Sequence, residues 1–135
     1  MGAWSHESFG NDTAADWAYG LAECKDMAYI ESAIDAVLSE EDYLDSDIAS
    51  EAVAAIEVVA KMLGKGTQAD AYTENADIWV AAMTVPPSAE LRAKAVRALD
   101  RITADESELA ELWSDTHDSD GWSATLATLR KAMSV

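Results

Sequence analysis

His6 is followed within ten residues by Asp12 and Asp16, and His117 is followed at once by Asp118. An imidazole beside carboxylates is the raw material of a divalent-metal site or of an acid–base pair. One histidine at each end is too few alone, because transition-metal sites combine two or more strong ligands at defined spacing. A shared centre requires the two ends of the chain to meet, as the termini of small domains often do. Ligand bonds of ~2 Å set the limit, so a separation of the histidines beyond about 10 Å would remove the idea.

A structural reading accounts for more of these residues. Asn11 or Asp12 caps a first helix, and Phe9, just before it, packs forward onto the first turns. Trp17 then points inward, and Trp4 lays its ring over the bundle with the indole N–H on a backbone carbonyl. His117, within "SDTHDSDGW", is a solvent-exposed loop histidine. No catalytic, cofactor-binding or metal-ligating residue is assigned on this reading. The ligands open to a metal would be His6, Asp12, Asp16, His117 and Asp118.

Other motifs fail on inspection. "DSDGW" suggests a calcium loop, but placing Gly121 at the sixth position puts Thr116 at the first ligand and Ala127 where a bidentate Glu belongs. The stretch is expected to be a helix cap with an adjacent turn. Cys24 is the only cysteine, so no intrachain disulfide forms, and a half-buried structural thiol near the end of the first helix is expected. No phosphate loop, dinucleotide fingerprint, HExxH or GxSxG occurs. Trp79, Trp113 and Trp122 fall at apolar helical positions, which predicts core or interface.

The elements that must hold these residues are helices. A first runs from roughly Thr13 to Glu23. In "DMAYIESAIDAVLSEED", Met27, Ile30, Ile34, Val37 and Leu38 share one stripe. "SDIASEAVAAIEVVAKMLGKG" is the longest and most apolar helix, with Asp45, Ser46 or Asp47 as cap and Gly64 as stop, and its alanines predict close central packing. "TENADIWVAAM" is capped by Thr73, and Ser88 caps a helix whose stripe is Leu91, Ala95, Ala98, Leu99 and Ile102. In "DESELAELWSD", Asp105 and Glu108 form a capping box. The last helix aligns Trp122, Leu126, Leu129 and Met133, with Arg130 and Lys131 at its negative end. No segment alternates with a period of two. The reading is all-α: a single compact bundle of six to seven helices over residues 1–135, with an N-terminal aromatic arm packed on the core.

Charge narrows the function. The chain has 26 acidic against 9 basic residues, a net charge of −17. Such a chain lacks the clustered Lys and Arg that phosphate contacts need, which argues against nucleic acid and against an anionic membrane surface. Mimicry of DNA toward a basic protein is the one exception. The start has no basic segment followed by an apolar one, and no apolar run approaches the ~20 residues of a membrane helix, so a cytoplasmic protein is expected.

The opening residues also carry a likeness. Met1-Gly2-Ala3-Trp4, Phe9, Asn11-Asp12, Ala14 or Ala15, and Asp16-Trp17 form a pattern that resembles the start of a bacterial family, domain of unknown function 4259. The long Ala-rich helix ending in "LG", then "ADIWVAA", a Pro-Ser helix start, "SELAELW" and "DGW" agree with it in order, so the resemblance spans nearly the whole chain. The family pattern has glycine where this chain has Ser5 and Glu7, which bears on any role that brings that turn's backbone against a ligand. The resemblance implies a small helical bacterial protein and no reaction.

The expected function is therefore a non-enzymatic protein-interaction module (inhibitor, immunity-type or adaptor) for a basic partner, without a cofactor. The alternative is a metal-dependent hydrolase or small-ligand binder using His6, His117 and nearby carboxylates. A third reading is a purely structural or oligomeric role. The competing account of the charge is solubility or adaptation to salt, which needs no partner.

Overall fold

The computed structural model describes residues 7–116 and 118–134, so Trp4, His6 and His117 lie outside the described residues. Short polar side chains open most of the helices. Asn11 accepts from the Ala14 amide and starts α1, Asp12–Ala22. After α2, Ala28–Ser39, Asp45 accepts from the amides of Asp47 and Ile48 and starts α3, Ser46–Met62. A single 3-10 turn, Ala71–Thr73, runs straight into α4, Glu74–Ala82. Ser88 accepts from the Leu91 amide at the head of α5, Ala89–Ile102. The chain continues through α6, Glu108–Ser114, and α7, Ser119–Met133. Among the described residues there are seven α-helices and no strand or sheet, so the fold is all-α.

α3 is the hub. Every residue from Ala49 to Ala60 except Glu51 is buried, and the helix touches all six others. Five of those residues are alanine, and short side chains let neighbouring backbones approach closely. Leu63 ends the helix, and Gly64 follows at φ 74°, where a side chain would be strained. α5 buries Leu91, Ala95, Ala98, Leu99 and Ile102, and α7 buries Trp122, Leu126, Leu129 and Met133, the stripes that helical spacing predicts. Each large apolar side chain taken fully from water stabilises the fold by about 1.5–3 kcal/mol before chain entropy opposes it.

The aromatic residues divide between packing and tethering. Phe9 is wholly buried, and Trp17 stacks on Tyr29 with ring centroids 5.0 Å apart. The Tyr29 hydroxyl donates to the Trp17 carbonyl at 2.9 Å, tying α2 to α1. The Trp79 indole N–H donates to the Cys24 carbonyl at 2.9 Å and holds α4 against the end of α1. Cys24 is part-buried, and its thiol donates to the Gly20 carbonyl. Trp113 and Trp122 stack at 6.3 Å between α6 and α7.

Three helix starts differ from expectation. Thr73 makes no cap bond for α4; its hydroxyl donates to Asp77 at 2.7 Å, while Asp70 caps the preceding 3-10 turn. The Asp105–Glu108 capping box does not form, because Ser107 caps α6 and the Glu108 carboxylate accepts from the Ser46 amide at 2.9 Å instead. In "DSDGW", Asp118 makes no side-chain cap bond and Gly121 lies inside α7. The second departure goes with a parallel bridge between the two links. Leu44 donates to the Glu106 carbonyl at 2.8 Å, and the Glu108 amide donates to the Leu44 carbonyl at 2.9 Å. Among the described residues no helix is long and apolar enough to cross a membrane.

Candidate functional site

Two polar regions stand out, one inside the fold and one on its surface. The inner one centres on Glu57, which the apolar face of α3 carries into the core at zero exposure. A buried carboxylate costs several kcal/mol unless its lone pairs are filled. Here the Ser8 hydroxyl donates to it at 3.0 Å, and the amides of Thr67 and Gln68 donate at 2.7 and 3.2 Å. The Thr67 hydroxyl is a fourth donor. Gln68 extends the set, since its side-chain carbonyl accepts from the Phe9 amide at 2.8 Å and its NH2 donates to Asp70.

Lys61, one turn along α3, closes the far side. Its ammonium pairs with Asp77 at 2.7 Å and donates to the Gln68 carbonyl. Burial alone would raise the Asp77 carboxyl, but hydrogen bonds from Lys61 and Thr73 outweigh it and hold Asp77 below its ordinary range. The backbone respects this crowding. A Cβ on Gly66 would sit 2.6 Å from the Lys61 Cγ and 3.0 Å from a Glu57 carboxylate oxygen. The segment before α1, the loop after α3 and the start of α4 are thus joined by one polar seam. Among the described residues, no buried side-chain nitrogen or oxygen lacks a hydrogen-bond partner. Such a seam fixes geometry, because its buried members already hold one another.

The outer region is a groove of about 400 Å³ where α1 meets the 3-10 turn and α4. Ala15, Ala18 and Ala71 are among its lining residues, with Tyr19, Tyr72 and Glu74. The tyrosines are 67% and 61% exposed. Asp12 and Asp16 are exposed on α1, and helical spacing puts both on the same side as Tyr19.

Asp12 and Asp16 are therefore neighbours one turn apart, while Asp118 starts α7 elsewhere in the chain. Among the described residues, no group of three or more His, Cys, Asp or Glu is arranged to hold a metal ion. His6 and His117, on which a shared centre depends, lie outside the described residues. Sequence reasoning missed the Glu57 seam. Its one signal is a lone carboxylate among Ile56, Val58 and Val59, on the buried face of the most apolar helix.

The charges are unevenly placed. α5 carries Arg92, Lys94, Arg97 and Arg101, whereas α1, α2, the 3-10 turn, α4 and α6 contain no Lys or Arg. Several cations are already engaged: Lys94 with Glu31 and Asp35, Arg130 with Asp100, and Arg101 with the carbonyls of Asp42 and Glu106.

Fold and composition together define an acidic, all-α bundle. The chain belongs to the family described as a domain of unknown function, DUF4259, whose model matches residues 2–125. No curated protein and no solved structure matches it significantly.

Proposed function

We propose that the protein is a non-enzymatic cytoplasmic interaction module, an inhibitor, immunity-type or adaptor protein, for a basic protein partner. The observation that carries this is the absence of Lys and Arg from α1, the 3-10 turn and α4, where Asp12, Asp16 and Glu74 stand exposed. A net charge of −17 attracts a basic partner over about a Debye length, and the exposed carboxylates orient it on approach. The exposed carboxylates steer more than they bind, since single surface ion pairs contribute at most about 1 kcal/mol.

The test is capture of partners by the full chain at low and at moderate ionic strength, with an Asp12→Asn/Asp16→Asn/Glu74→Gln variant alongside. A basic protein retained by the parent and released by the variant is the expected result. Retention of no basic protein at either ionic strength, or equal retention by the variant, would overturn the reading.

A further inference from the structure

Resting on that reading, we infer that the basic partner docks on the outer side of α4 and the link after it. The segment they receive is an amphipathic helix, an apolar stripe edged with Lys and Arg. A surface helix ordinarily gives its outward side to charge, but α4 is apolar on both sides. It buries Ala76 and Trp79, while Ile78, Ala81 and Ala82, which share one side by helical spacing, stand exposed. Among the described residues, Ile78 and Val85 are the large aliphatic side chains left exposed, each at 62%. Val85 also lines an apolar notch of about 190 Å³ with Met62 from α3 and with Val80, Met83, Thr84 and Pro86. The notch has room for an aliphatic side chain, and flexible methionines adapt to the shape that enters.

Charge selects the occupant. Residues 78–89 carry no charged side chain, and residues 66–91 hold no Lys or Arg. Exposed Glu74, one turn before Ile78 on the same side of α4, and exposed Glu90 at the head of α5 bracket the apolar run. Apolar contact with a carboxylate beyond each end fits a helix whose Leu or Ile stripe is flanked by cations. Ala81 and Ala82 let the backbone of that helix come close. A second copy of this chain would bring an apolar face too, but its own net charge of −17 repels it.

The experiment titrates the full chain with three synthetic peptides and follows backbone amides by NMR, at about 0.15 M salt so that loose charge attraction is screened. The first peptide is an amphipathic helix of Leu and Lys; the second replaces each Lys by Glu, and the third replaces each Leu by Ser. The Leu/Lys peptide is expected to shift the amides of residues 62 and 78–85 and to bind at least tenfold more tightly than the others. Ile78→Ala with Val85→Ala is expected to weaken that binding about tenfold, through the loss of two aliphatic contacts. Ile78→Val with Val85→Ile keeps the apolar surface and is expected to keep the affinity. Both residues are exposed, so unchanged melting of each variant confirms that folding is intact. Binding that the Ala variant leaves untouched, shifts confined to other helices, or equal binding by the Leu/Glu peptide overturns the α4 surface while the acidic-module reading stands. A parent chain that sediments as a dimer, with an Ala variant that sediments as a monomer, overturns it too, because a second copy then covers the face. Binding of no peptide also overturns the surface, and the capture experiment then judges the wider reading alone.

Discussion

Glu57 on α3 is fully buried and accepts hydrogen bonds from Ser8, Thr67 and Gln68; Glu74, at the head of neighbouring α4, stands exposed beside Tyr72 in an open groove. The residue type is the same. Around Glu57 every lone pair is taken by a donor from the chain itself, so removing a donor leaves a charge stranded in the core. Glu74, by contrast, keeps its carboxylate exposed at the edge of a groove, where a cation can reach it. Burial and internal satisfaction, more than residue type, separate carboxylates that hold a fold together from those free to meet a partner.

Substitutions can break that contrast, the largest effect first. Phe9→Ala removes a fully buried ring from the segment that Glu57 and Gln68 tether, and about 3–5 kcal/mol of stability should be lost in urea denaturation. A loss below ~1 kcal/mol would mean that the segment is not anchored by its ring. Glu57→Gln keeps the shape but turns an NH2 toward donors, and a loss of about 1–3 kcal/mol is expected. If it is neutral, the seam is dispensable and the contrast with Glu74 collapses.

Asp77 sharpens the picture through pH. Its folded value lies below the ordinary 3.8, so the unfolded chain binds the proton first as the medium is acidified. Its stabilising contribution is complete above that ordinary value and is lost as pH falls through the lower, folded one. Asp77→Asn should flatten the acid end of a plot of urea midpoint against pH. Parallel curves would show that the Lys61 and Thr73 contacts contribute nothing there. The smallest effect belongs to the groove: Tyr19→Ala should change stability by no more than about 0.5 kcal/mol, as exposed positions usually do.

Much of this architecture is legible in the sequence. The stripes of α5 and α7 are read directly, because each turn of an amphipathic helix repeats the same vote for one buried face. Asp45, Ser88 and Gly64 are read for a similar reason, since their bonds and angles are local to the helix ends they set. The starts of α4 and α6 are misread because their polar side chains answer to distant partners. Glu108 is drawn to the Ser46 amide, and Thr73 turns to Asp70 and Asp77. The Glu57 seam is hardest to foresee, since its donors come from positions 8, 67 and 68 and nothing in one dimension brings them together. Of the residues singled out for chemistry, Asp12 and Asp16 sit on the exposed side of α1 as a pair. Trp4, His6 and His117 lie outside the described residues.

The bridge between Leu44 and Ser107 bears on the order in which the chain assembles. Its two backbone segments are separated by α3, α4 and α5, so closing that loop before those helices pack would cost entropy. Neighbouring helices can collapse onto α3 first, through pairings close in sequence. On this reasoning the Leu44–Ser107 pairing, with the Glu108 clasp on Ser46, is expected to close late, as a latch. Interactions made after the folding barrier slow unfolding without hastening folding, so such a latch is expected to lengthen the lifetime of the native state.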